Sequence, residues 1–234
     1  MKFIKLNVLS HSLGLVAIAS IATGALAACT ATTNPETLAS NSPVAVTPNA
    51  TPSTMHNMNN MHMGNMAMDL GPADANFDLR FIDGMIPHHQ GAVAMTKEAQ
   101  QKSERPEIKK LADEIIKAQT KEIAELQTWR KQWYASAGNK PMAYDAKMGR
   151  MMEMSQDQMS GMMMSQDLGA KDADFDLRFI DAMIPHHEGA VTMAQNAATK
   201  STRPEIKKLT QDIISSQQAE IKQMQQWKQA WYKK

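Results

Sequence analysis

Cysteine is almost missing from this chain of 234 residues: Cys29 is the single one. An intrachain disulfide is therefore excluded, and so are the thiolate clusters that hold structural zinc. Aromatic residues make up only 5 % of the chain, and neither sign of charge dominates, the formal net charge being +1. Acidic and basic residues are interspersed and form no basic patch, which argues against nucleic acid as a partner. No apolar run is long enough for a comfortable membrane span, since the longest, residues 13–28, is short and rich in small side chains. What the chain has in excess is methionine, with 21 residues. A flexible thioether can simply fill a core, so the placement of these residues decides how they are read.

The beginning reads as a secretory signal, residues 1–28, with Lys2 and Lys5 ahead of the apolar run, and it implies export to the periplasm. It closes on Leu26-Ala27-Ala28-Cys29, which resembles a bacterial lipobox. Lipidation of Cys29 would anchor the chain to a membrane, whereas ordinary cleavage after Ala27 would leave a free thiol exposed to oxidation. Residues 29–70 then form an expected tether. Its first part, rich in Thr, Ala, Asn, Ser and Pro, has too little apolar surface to repay ordering. Its second part, residues 55–68, alternates Met55, Met58, Met61, Met63, Met66 and Met68 with asparagines and adds His56 and His62. A packing stripe would share its methionines with Leu, Ile or Val, and Gly64 with the asparagines disfavours a helix. Metal capture fits better. Soft thioethers select Cu(I), and imidazole serves either copper oxidation state.

The segment FDLRFIDGMIPHHQGAVAM, residues 77–95, returns as FDLRFIDAMIPHHEGAVTM, residues 175–193. The match runs without a gap to Trp129, Trp133 and Tyr134, paired with Trp227, Trp231 and Tyr232, at roughly 60 % identity. Each copy reads as a helical hairpin. Asp74 or Asn76 caps the first helix, residues 103–105 turn the chain, and Pro106 opens the second helix. That second helix carries Ile108, Leu111, Ile115, Leu126, Trp129 and Trp133 at three- and four-residue steps, and Ile206, Leu209, Ile213, Met224, Trp227 and Trp231 repeat the stripe. One hairpin cannot bury both its faces, so two hairpins predict an all-α four-helix bundle. Residues 71–234 form the expected bundle domain, with repeat 1 at about 74–135, a Met-rich connector at about 136–170 and repeat 2 at about 172–233.

Helical phasing puts Asp78, Phe81, Met85, His88, Ala92 and Met95 on one face with His89 at its edge. Pro87 and Pro185 make the wheel approximate by kinking or restarting each helix. Met85, His88, His89 and Met95, with Met183, His186, His187 and Met193, are thus the candidate inner ligands. Gln119 and Glu122, matched by Gln217 and Glu220, share the inward face of the partner helices. They are candidates for orienting the imidazoles, or else for bonding one another or the indoles. In the connector, Met148, Met151 and Met152 form a candidate soft-metal cluster ahead of a short helix capped by Ser155.

The M-I-P-H-H-x-G-A core and its copy resemble the signature of the DUF305 family, a likeness covering nearly everything after about Asn65. Resemblance to its duplicated, methionine-rich form implies a ferritin-like bundle that binds copper in the periplasm and protects against excess metal. By motif position it implies binding roles for Met85, His88, His89 and Met95 and for Met183, His186, His187 and Met193. The expected function is a non-enzymatic protein that sequesters Cu(I), with Cu(II) and Ag(I) as further candidates, and passes it to an efflux or metallochaperone partner. Two rivals stand beside it. One is a dinuclear oxidase-type enzyme using Asp78, His88 and Glu122 with Asp176, His186 and Glu220, although the Glu-x-x-His pairs of di-iron bundles are missing. The other is a lipid-anchored structural protein without tight metal binding.

Overall fold

The computed structural model describes residues 69–233. The signal, Cys29 and the methionine tract of residues 55–68 lie outside the described residues. Four long helices form the two expected hairpins: α1 (Phe77–Lys102) with α2 (Pro106–Trp133), and α4 (Phe175–Lys200) with α5 (Pro204–Tyr232). Between the hairpins the connector folds into a 3-10 turn (Ala135–Ala137), an antiparallel pair β1 (Met142–Asp145) and β2 (Arg150–Glu153), and a short helix α3 (Gln156–Met163). Among the described residues, no helix is long and apolar enough to cross a membrane.

Pro106 and Pro204 occupy the first positions of α2 and α5, where a missing N–H costs nothing. The expected cap of α1 is realised differently. Asn76 holds the N-cap position but makes no side-chain cap bond, and Asp74 instead accepts from the Asn76 N–H at 2.9 Å. The same Asp74 carboxylate pairs with the buried guanidinium of Arg80, 2.9 Å away, which holds it below the usual carboxylate range against the opposing effect of burial. Arg80 also donates from Nε to the Leu70 carbonyl and from Nη2 to the Pro72 carbonyl, each at 2.6 Å. Arg178 repeats the pattern on Leu168, Ala170 and Asp172. Each FDLRF segment therefore pins the loop before it, and the ordered repeat reaches back to Leu70, which is buried. The left-handed turns at Gly71 and Gly169, φ +74° and +75°, bring those carbonyls round to the arginines.

The repeats are strapped to each other twice. Arg105 stacks its guanidinium 4.1 Å above the Trp231 ring and lies 3.4 Å from Asp176; Arg203 does the same with Trp133, at 4.2 Å, and Asp78, at 3.4 Å. Lys102 reaches the Gly169 carbonyl and Lys200 the Gly71 carbonyl. The end of each first helix thus meets the start of the other, which makes α1 and α4 antiparallel. The tryptophans expected on the bundle face lie at its rim, half-buried, with Trp129 stacked on Trp133 and Trp227 on Trp231 at 5.2 Å.

This arrangement divides the core in two. One apolar cluster joins the first half of α1 (Phe77, Phe81, Ile82, Met85) and Leu126 to the second half of α4 and the start of α5, including Met193, Ile206 and Ile213. The other joins Met95, Ile108, Leu111 and Ile115 to Phe175, Phe179, Met183 and Met224. The histidine pairs lie midway along α1 and α4, between the two cores.

Repeat 1 alone carries the connector. Asp83, buried on α1, pairs with Arg130 and accepts from the Met142 N–H at 2.8 Å, while Arg130 donates to the carbonyls of Gly138 and Lys140. Its counterpart Asp181 meets Lys228 at a half-exposed surface. Ser155 caps α3 as expected, in a reciprocal capping box with Gln158. The methionine cluster ahead of it lies in the hairpin, with Met148 57 % and Met152 36 % exposed and Met151 half-buried.

Candidate metal site

Both helices run unbroken through their internal prolines, Pro87 in α1 and Pro185 in α4. Each proline lacks an N–H, so the carbonyl four residues earlier, at Asp83 or Asp181, loses its helical donor just before the histidine pair. The phasing nevertheless places all four histidines inward: His88, His89, His186 and His187 are each 0 % exposed. The antiparallel crossing of α1 and α4 brings the first histidine of each motif together, with ring centroids of His88 and His186 4.0 Å apart. His89 stands 6.5 Å from His88, and His187 stands 6.2 Å from His186. The two motifs thus meet in one polar layer.

The partner helices orient the outer rings. His187 Nε2 donates to Glu220 at 2.7 Å, and Glu122 lies 2.7 Å from His89 Nε2 with poorer alignment. Gln119 and Gln217 are as buried as expected, but neither bonds an imidazole and the side-chain oxygen of each has no partner. Position 163 was not singled out by the sequence: the Met163 carbonyl, at the end of α3, accepts from His186 Nε2 at 3.1 Å. The sequence signals the contact only through Gly84, which is Ala182 in repeat 2.

The ring nitrogens left over matter most. Nδ1 of all four histidines is buried without a hydrogen-bond partner, and so are Nε2 of His88 and Nε2 of His89, the latter near Glu122 but out of line with it. Burial, reinforced by the neighbouring imidazoles, holds His88 well below its usual range. Burial, followed by the charge of His187, takes His186 down to about 3 against the opposing Met163 carbonyl. Both are neutral imidazoles at pH 7, each with a free lone pair. Buried polar atoms in native proteins are normally satisfied, and an imidazole lone pair facing an interior is satisfied by a metal ion as well as by a proton donor.

The four motif methionines are also interior, each 0 or 1 % exposed. Met85 and Met95 lie ten residues apart on one helix, about 15 Å, so a single ion cannot touch both. The fold sorts them across the repeats instead: Met85 shares a core with Met193, and Met183 shares one with Met95. Among the described residues, no three His, Cys, Asp or Glu side chains converge so as to hold a metal ion. Asp78 and Asp176, invoked for a dinuclear centre, lie ten residues from His88 and His186 and face Arg203 and Arg105.

Several known proteins are similar to this chain. Structures of CopM match with 48 % identity and a TM-score of 0.53 in the Cu(II)-bound form, 46 % and 0.51 in the Cu(I)-bound form, and 44 % and 0.52 in a silver-soaked form. Each match covers 66 % of this chain and 97 % of the CopM chain. An uncharacterized protein of Acanthamoeba polyphaga mimivirus, L153, is 45 % identical over 49 residues, or 21 % of this chain, which spans only 32 % of that curated relative's length. The model of the domain of unknown function DUF305 matches residues 26–130, which hold the first His-His motif, and again residues 78–228, which hold both, and the chain belongs to the DUF305 family.

Proposed function

We propose that this protein is an extracytoplasmic copper-binding protein that sequesters Cu(I), with Cu(II) and Ag(I) as further cargoes, and serves copper resistance or homeostasis. The observation that carries this reading is the layer of buried, neutral histidines with unpartnered Nδ1 atoms, flanked on both sides by buried methionine pairs. Imidazole nitrogen with thioether sulfur is a donor set suited to Cu(I). The likeness to copper- and silver-bound CopM supports the choice of metal. The inner ligands in this reading are His88, His89, His186 and His187 with Met85, Met193, Met95 and Met183, while Glu122 and Glu220 orient the outer imidazoles. The tract of residues 55–68 and the hairpin methionines Met148, Met151 and Met152 capture the ion first and pass it inward by ligand exchange. A lipid anchor at Cys29 and an efflux or metallochaperone partner complete the proposal.

The protein acts by binding and exchange, and not as an oxidase. Competition titration of the wild-type chain and of a variant with all four motif histidines changed to Gln tests the reading. The variant should keep its helical circular dichroism and lose Cu(I) affinity; unchanged stoichiometry and affinity would remove the bundle from the account.

A second reading has its own observation: the motif methionines sit inside apolar clusters, where packing alone suffices. Changing Met85, Met95, Met183 and Met193 to Leu separates the two, because that swap conserves volume and removes only sulfur. A purely structural role predicts no change in Cu(I) binding.

A further inference from the structure

The two motif copies are nearly identical in sequence and unlike in surroundings. Pro87 is buried in repeat 1 and Pro185 exposed in repeat 2, because the connector lies on α1. The last turn of α3 follows a stripe of positions four and seven residues apart, Gly84, His88 and Gly91. At one end of the stripe, Met162, 3 % exposed, places Cε 3.3 Å from where a Cβ on Gly84 would stand. Repeat 2 has Ala182 at that position. At the other end the Met163 carbonyl oxygen lies 1.8 Å from where a Cβ on Gly91 would stand, a place only glycine leaves open. Met163 is the last residue of α3, followed by Met164 in the left-handed conformation at φ 45°, so its carbonyl has no partner within the helix. It finds His186 Nε2 at 3.1 Å.

A carbonyl oxygen can only accept. The ring nitrogen must donate, so the neutral His186 carries its proton on Nε2 and leaves Nδ1 bare. We propose that the last turn of the connector helix is a working part of the bundle's metal site, in which the Met163 carbonyl is a positioning group that locks His186 as the Nε2–H tautomer and presents Nδ1 to the cargo ion. Metal-bound histidines commonly have their second nitrogen tied in this way. His88, with both ring nitrogens unpartnered, has no such fixing group. The duplication therefore supplies one pre-oriented central ligand, His186, and one that turns to meet the ion, His88. The role in metal binding rests on the copper reading above; the tautomer does not.

Long-range 1H–15N spectra of the metal-free full chain read the tautomer directly. His186 is expected as Nε2–H in the wild type and in Met163→Ala, which keeps the carbonyl. In Gly91→Ala the added methyl displaces that carbonyl and itself stands 3.2 Å from His186 Nε2, so both effects take the acceptor away from Nε2 and the pattern should shift toward Nδ1–H. Competition titration should then show Gly91→Ala weaker for Cu(I) than the wild type by about tenfold or more. Finding wild-type His186 as Nδ1–H overturns the proposal without any variant, and so does a well-folded Gly91→Ala with unchanged tautomer and affinity. A wild-type chain that shows the Nε2–H tautomer but does not bind Cu(I) overturns the copper reading and the metal role of the carbonyl together, and is thereby told apart from the first two failures.

Discussion

Acid should destabilise the metal-free protein through the same burial that keeps its central imidazoles neutral. An unfolded chain binds a proton on histidine near pH 6.5, whereas folded His186 resists until about pH 3. Between those values the unfolded state holds more protons, so this contribution to stability is fully present above pH 6.5 and declines as pH falls toward 3. From pH 7 to pH 5, where most carboxylates are still ionised, His186 alone accounts for a loss of about 2 kcal/mol. His88, depressed by burial in the same direction, adds to it. Urea denaturation of the metal-free chain at the two pH values, followed by circular dichroism, measures the loss. With a denaturant dependence of about 2 kcal/mol per molar, the His186 share moves the midpoint by about 1 M. His186→Gln keeps a donor for the Met163 carbonyl and cannot titrate, so its midpoint should fall by about 1 M less than that of the wild type. Equal shifts in the two proteins would refute the assignment of the acid sensitivity to His186.

The connector gives a paired prediction in the same assay. Asp83→Ala leaves the half-buried Arg130 and the Met142 N–H without their carboxylate and should cost about 3 kcal/mol, whereas Asp181→Ala, at the exposed equivalent, should stay within about 0.5 kcal/mol. Arg105→Ala and Arg203→Ala each remove a guanidinium stacked on a tryptophan of the other repeat and should each cost about 1–2 kcal/mol. Because the two straps lie at opposite ends of the bundle, the double variant should show the sum of the two losses in urea denaturation. The methionine-to-leucine set at positions 85, 95, 183 and 193 should leave the thermal midpoint close to wild type while weakening Cu(I) in competition titration.

Most of the bundle could be read from the chain because two signals agree there: a gapless duplication, and apolar steps of three and four residues that place Ile108, Leu111, Ile115 and their copies on one stripe. The inward turn of His88 and His186 followed from the same periodicity. That the two motifs would share one layer did not, since sequence spacing says nothing of how α1 crosses α4. Their crossing also re-sorted the methionines, pairing Met85 with Met193 across the repeats. The hairpin of β1 and β2 left no trace in the pattern because Met142, Met151 and Met152 are not β-branched and show no clean alternation. It is held by tertiary bonds, from Asp83 and Arg130 on one side and by the turn in which Asp145 accepts from the Lys147 and Met148 N–H groups. A backbone carbonyl such as that of Met163 is invisible to any reading by residue type. Only the Gly84 and Ala182 difference hinted that something rests on repeat 1 and not on repeat 2.

X-ray absorption of the full chain loaded with Cu(I) tests the central claim most directly, because it counts sulfur against nitrogen neighbours at the metal. The account predicts a mixed shell of imidazole nitrogen and thioether sulfur, with the nitrogen share falling sharply when His88, His89, His186 and His187 are all changed to Gln. A shell of sulfur alone, unaltered by that change, would contradict it and place the copper in the methionine tracts.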